Sequence, residues 1–156
     1  MDESIRNVLE KISYGLYIVT AEYQSNVHAM VASWVSQASY RPPMVVIGIK
    51  SNRAMNRIIP QSKVFGLNLL RSDQKDLVQL IKASAPEAAP SWLERKTPAG
   101  APVVKDVLGF LELRLVQFPA PGDHTLFVAR ILDGWIDKDG EQLTTTAFGK
   151  VYIGEE

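Results

Sequence analysis

Apolar side chains at Ile5, Val8, Leu9 and Ile12 follow the i, i+3, i+4, i+7 spacing that puts four side chains on one helical face. The spacing predicts an amphipathic helix at the start of the chain, with Gly15 available to end it. Residues 16–21 are rich in β-branched and aromatic side chains, 22–26 are polar, and an apolar run resumes over 27–33, which predicts a hairpin. Pro42 and Pro43 carry no amide donor for a sheet ladder, so the chain breaks after Tyr40 before a buried strand over 44–49. Asn52 can cap a short helix over 53–59 that Pro60 ends, and 63–70 reads as another strand. Leu77, Leu80 and Ile81 give 73–83 helical spacing, while alanine and proline over 83–90 leave a loop. The runs over 109–118 and 125–133 flank a segment rich in proline and glycine and predict antiparallel neighbours; 137–140 supplies another turn. Six or seven strands with three short helices, and no regular βαβ alternation, predict a mainly β fold: a mostly antiparallel barrel with peripheral α-helices.

Composition narrows the function classes. A chain of 156 residues, 46% apolar and 22% charged, suits one soluble domain over 1–156 with a real core. Lysine plus arginine balance aspartate plus glutamate at 17 each, so no global field recruits nucleic acid or a membrane surface, and any anion must be bound locally. The absence of cysteine removes disulfides, thiol nucleophiles and cysteine-ligated metals. The acidic N-terminus is unlike a secretory signal and no apolar run spans a bilayer, so a cytoplasmic protein without a metal site is expected.

Candidate chemistry starts at residues 28–39, where a strand-like run gives way to Ser33, Trp34, Ser36, Gln37 and Ser39. With the prolines forcing the chain elsewhere, 34–41 is expected to be a loop at a barrel mouth. Small residues there admit a ligand close to the backbone, and the hydroxyls suit phosphate oxygens. Lys50-Ser51-Asn52-Arg53 follows, at a strand end and an expected helix start, where cationic side chains and free amides favour a phosphate. Trp34 offers a flat apolar wall to a ring system. The plainer alternative is that the serines are turn residues and Trp34 is core. No paired-carboxylate signature and no Gly-x-Gly-x-x-Gly dinucleotide fingerprint is present.

In order along the chain stand Ala32-Ser33-Trp34-Val35-Ser36, Ser39-x-x-Pro42-Pro43, Lys50-Ser51-Asn52-Arg53, Phe65-Gly66-Leu67-Asn68 and Gly122-Asp123-His124. This order resembles the flavin reductase-like family, FMN-binding split barrels of Greek-key antiparallel strands, from Gly15 to about Tyr152. The resemblance implies a homodimer in which each barrel holds FMN noncovalently. Ser33 to Ser36, with Gln37, Ala38 and Lys50 to Arg53, would serve the ribityl phosphate, and Trp34 would lie beside the isoalloxazine or ribityl chain. Many relatives carry Gly-Met-Thr where this chain has Ala29-Met30-Val31, so the implied phosphate contacts around Met30, Val31, Ala32 and Val35 lean on backbone and on Ser33 and Ser36, while His28 either replaces a polar neighbour of the flavin or simply sits on a strand. Asn68 falls where the family strand passes the flavin. Lys96 is a further candidate for the pocket, and without the resemblance it reads as a solvated loop lysine. His124 matches the histidine that the family places near flavin and nicotinamide, the single candidate catalytic residue; it equally suits a turn histidine capped by Asp123.

The implied activity is an NAD(P)H-dependent flavin reductase. NADH or NADPH would give a hydride to the flavin, which passes electrons to an acceptor protein or leaves as free flavin. The alternative is a flavoredoxin-like electron-transfer module that keeps FMN bound and does not itself oxidise NAD(P)H.

Overall fold

The computed structural model describes residues 1–154. Strands β1 (Tyr17–Tyr23) and β2 (Asn26–Ala32) form the expected hairpin, with Gln24 and Ser25 at φ 50° and 64° in the turn. They join β3 (Val35–Ser39), β4 (Met44–Lys50), β5 (Val64–Leu69), β8 (Gly109–Gln117) and β9 (His124–Ile136) in one sheet, with β6 (Leu93–Lys96) and β7 (Pro102–Val104) as a separate hairpin. The helices are α1 (Glu3–Leu9), α2 (Met55–Ser62), α3 (Lys75–Ala83) and α4 (Thr145–Phe148).

The sheet order is β2-β1-β5-β8-β9-β4-β3, and every pairing is antiparallel. Its two edge strands, β2 and β3, are consecutive in sequence, with only Ser33 and Trp34 between them. Laid flat, seven strands about 4.8 Å apart would separate those edges by roughly 29 Å. Three residue steps reach about 11 Å at most. The sheet therefore rolls into a barrel whose split lies at Ser33-Trp34. Val35 N donates to Ser33 O at 2.9 Å and Gly48 N to Trp34 O at 2.8 Å, which clips the corner onto β4.

Inside the barrel Val19, Ile47, Phe65, Leu67, Leu113 and Phe127 pack together, and α2 adds Met55, Ile58 and Ile59. A second cluster sets α3, through Val78 and Ile81, against Ile18 and Val27 of the hairpin, with Trp92 and Leu143. Each fully buried phenylalanine, Phe65, Phe110 or Phe127, stabilises the barrel by about 1.5–3 kcal/mol of apolar transfer. Gly66 is required by space: a Cβ there would stand 2.5 Å from Thr20 Oγ1 and 2.8 Å from the Pro102 carbonyl.

Several local expectations change. Residues 35–39 are a strand and not a loop, because the prolines sit in the turn after it and leave its donors free to pair with β4. The second helix begins at Met55 behind Ala54, not at an Asn52 cap, and runs through Pro60. One missing donor costs it less than burial of Met55, Ile58 and Ile59 gains. Helix α1 ends at Leu9, well before Gly15, and none of its residues is buried. Its cap is Asp2, whose carboxylate accepts from Ser4 N at 2.8 Å. The β6–β7 hairpin and α4 have no counterpart in the sequence pattern, so nine strands and four helices stand among the described residues.

Candidate functional site

The barrel corner Ser33-Trp34 forms part of a cavity of about 450 Å³. Its floor is β2 and β4, through Met30, Val31, Ala32, Gly48 and Ile49, and its far wall is α3 and α4, through Val78 and Phe148. Four cationic residues line it, Lys50, Arg53, Lys82 and Lys150, and among the described residues no carboxylate does. They come from three separate places in the chain: the end of β4 with the turn after it, the last turn of α3 and the residue after the α4 cap. Concentrating cations here in a chain of zero net charge creates a local positive field with no global one. The Lys82 ammonium also stands 5.8 Å from the centroid of the Phe148 ring.

Helix α4 is held by its own chemistry. Thr144 Oγ1 accepts from Ala147 N at 3.2 Å as an N-cap, and Gly149 closes the other end at φ 94°, a left-handed turn suited to glycine. Thr145 Oγ1 accepts from Tyr14 N at 3.1 Å, which ties the helix to the start of the barrel.

On the other side of Trp34 lies a second cavity of about 530 Å³, bordered by His124, Asp123, Tyr14, Ile153 and Gly154. Trp34 and Tyr152 line both cavities. The Trp34 ring lies 4.4 Å from His124 and 5.3 Å from Tyr152, centroid to centroid. His124 opens β9 and is buried; its Nδ1 is 2.7 Å from Asp123 Oδ1 and its Nε2 is 3.0 Å from the Tyr152 hydroxyl. That hydrogen bond to His124 is the main reason the Asp123 carboxyl sits below its ordinary range. Burial pushes the Tyr152 phenol up, so it remains a proton donor. The segment carrying Tyr152 is pinned at two more points: Trp34 Nε1 donates to Tyr152 O at 3.1 Å and Lys50 Nζ to Gly154 O at 3.1 Å.

Of the residues singled out in the sequence, Met30, Val31, Ala32, Ser33, Trp34, Lys50 and Arg53 line the first cavity, and His124 lines the second. Val35, Ser36, Gln37 and Ala38 stand on β3, at the sheet edge beside the corner, with Ser36 to Ala38 exposed. Ser51 and Asn52 lie in the turn before α2. Two of the amides there are engaged, Ser51 N with Asp123 O at 2.9 Å and Arg53 N with Lys50 O at 3.0 Å. His28 is half-buried on β2 and lines neither cavity; burial, then the nearby Arg57 charge, holds its imidazole below the ordinary value.

Two further candidates lie away from both cavities. Asn68 is fully buried inside the fold: its amide donates to Ile18 O and Thr20 Oγ1 and accepts from Val104 N at 2.9 Å, so it locks β1, β5 and β7 together and faces neither cavity. Lys96, at the end of β6, pairs with Glu22 of β1 and lines neither cavity. Lys82, Phe148, Lys150 and Tyr152 are the site residues that the sequence left unmarked. Lys82 and Phe148 belong to helices whose positions only the fold reveals, and Tyr152 stands in a segment with no periodicity.

Comparison with known proteins places these features in a lineage. The sequence model of the flavin reductase like domain matches residues 9–152. Diflavin flavoprotein A 1 of Synechocystis sp. is 30% identical over 155 residues, which is 97% of this chain and 27% of that protein. The chain spans about a quarter of the length of the diflavin relatives it matches. NADH-dependent flavin reductase of Rhodococcus sp. is 30% identical over 142 residues, covering 89% of this chain and 79% of that protein. The structure of flavin reductase PheA2 superposes with a TM-score of 0.80 at 30% identity, covering 92% of this chain and 93% of that one.

Proposed function

Since the chain belongs to the flavin reductase like domain family, we propose that it is a flavin reductase domain, binding FMN in the cation-lined cavity and taking electrons from NADH or NADPH. The observation that carries this reading is the cavity at Ser33-Trp34, with four cationic side chains, no acid among the described residues of its lining, and one aromatic wall. Its 450 Å³ falls within the roughly 300–1,000 Å³ typical of small-molecule sites, so the residues present suit a phosphorylated ring compound.

In this reading Lys50, Arg53, Lys82 and Lys150 hold the phosphate and neutralise its charge. Trp34 supplies a wall for the ring system, and the exposed backbone of β3 at Ser36 to Ala38 borders it. His124 faces the space on the opposite side of Trp34, where the nicotinamide donor would approach. Bound flavin supplies the hydride-accepting chemistry, which no side chain here provides. The protein orients the reactants and excludes water around them. A homodimer belongs to the same reading, since β3 is a sheet edge left with exposed side chains that a second copy can cover. So do a cytoplasmic location, where nicotinamide donors are kept reduced, and an acceptor that is a partner protein or free flavin. Among the described residues no helix is long and apolar enough to cross a membrane.

Anaerobic titration of the FMN-loaded protein with NADH and then NADPH tests the proposal through loss of flavin visible absorbance. Rapid bleaching by either donor supports it and identifies the donor. Flavin that binds but stays oxidised points to an electron-transfer module fed by another protein, and absence of flavin binding overturns the assignment of the cavity.

A further inference from the structure

Tyr152 is one of the least conspicuous residues in the sequence and one of the most connected at the site. It lies beyond α4, yet its ring and carbonyl meet Trp34 at the barrel split and its hydroxyl meets His124 at the start of β9. Its backbone carbonyl receives the Trp34 indole N–H, and its hydroxyl reaches His124 Nε2.

The proton inventory of this chain of contacts is short. Asp123 is an ionised, exposed carboxylate that can only accept, so His124 Nδ1 must carry a proton and donate it. A neutral imidazole then has a bare lone pair at Nε2, and the phenol 3.0 Å away is the donor that fills it. Both ring nitrogens are satisfied, and the ring is fixed in azimuth against Trp34 at 4.4 Å. Without the phenol, Nε2 would be buried with no partner, and only the bond to an exposed carboxylate would orient the ring.

We infer that Tyr152 is a positioning residue for the proposed reductase site: its hydroxyl donates to His124 Nε2, holding the imidazole as the Nδ1–H tautomer and in register with Trp34 on the wall between the two cavities. The inference rests on the flavin reductase reading for its functional consequence and on local geometry for its structural one. The two can therefore fail separately.

With only His28 and His124 in the chain, long-range nitrogen–proton NMR of the imidazoles resolves both rings, and a His28→Gln variant assigns them. At about pH 8, above the ordinary imidazole range, the parent is expected to show His124 as the Nδ1–H tautomer with a hydrogen-bonded Nε2. A parent spectrum showing the Nε2–H tautomer overturns the inference without any variant. In Tyr152→Phe, which removes one oxygen and keeps the ring, the Nε2 resonance should move to that of an unbonded nitrogen. The kcat for NADH oxidation should fall about five- to tenfold, the worth of one hydrogen bond of about 1 kcal/mol. An unchanged His124 spectrum in Tyr152→Phe overturns the inference whatever the rate does. If the parent neither binds FMN nor oxidises a nicotinamide, the reductase reading fails, and the imidazole spectra still decide whether Tyr152 holds His124.

Discussion

Trp34 is the residue on which both cavities depend. It closes the gap between the two sheet edges, lies against His124 and Tyr152, and stands over Gly48, where a Cβ would come within 3.2 Å of its Cε3. Trp34→Ala should therefore weaken FMN binding by about 1–3 kcal/mol, read as a five- to 150-fold rise in Kd by quenching of flavin fluorescence. Unchanged affinity would remove Trp34 from the flavin wall. The other histidine gives a contrasting test, because His28 acts on stability and lies outside the cavities. Its folded-state pKa is depressed, mainly by burial, below the ordinary 6.5. As pH falls below about 6.5 the unfolded chain takes up a proton that the folded one resists, so stability present above that pH is lost toward the folded pKa. The urea midpoint should drop between pH 7.5 and 5.5 in the parent and drop less in His28→Gln. Equal losses in the two proteins would exclude His28 as a source of the acid sensitivity.

At the scale of elements, α4 is small enough that its cap decides its position. Removing the Thr144 hydroxyl in Thr144→Ala leaves Ala147 N without its 3.2 Å acceptor, which should lower stability by about 1 kcal/mol in chemical denaturation. The same change loosens Phe148 and Lys150, so FMN affinity should fall with it, whereas a stability loss at unchanged affinity would detach α4 from the site. The hairpin β1–β2 and strands β4, β5, β8 and β9 were legible because alternating or continuous apolar runs bounded by turn residues fix a strand locally. Strand β3 was not. Its side chains are serine, glutamine and alanine with one valine, and its strand character comes from the β4 backbone beside it. Asn68 shows the same limit inverted. Its place in the motif suggested a ligand, but a buried amide surrounded by Ile18 O, Thr20 Oγ1 and Val104 N answers to the fold, and those partners lie 36 to 50 residues away in the chain. Lys50 and Arg53 stood out in the sequence because charge is a local property, while Lys82 and Lys150 join them in the cavity lining only through tertiary packing.

At the scale of the whole molecule, the equality of 17 basic and 17 acidic residues separates two effects that often travel together in anion-binding proteins. A strongly basic chain attracts any polyanion over distances beyond a Debye length, about 8 Å at physiological ionic strength. Here four of the 17 basic residues, Lys50, Arg53, Lys82 and Lys150, line one cavity, while charge over the chain as a whole balances. Salt should therefore weaken a phosphate held in that cavity while leaving both the fold and an uncharged ligand nearly unaffected. Raising NaCl from about 0.05 to 0.5 M is expected to lower FMN affinity several-fold, to change riboflavin affinity by less than about twofold, and to leave the unfolding midpoint almost fixed. Lys150→Gln should flatten the FMN salt dependence while scarcely changing riboflavin binding, since it removes charge from the cavity without touching the barrel core. Equal salt dependence for FMN and riboflavin would mean that the cations do not hold the phosphate. The result would then place the ring system, and not the phosphate, as the part of the flavin that this cavity recognises.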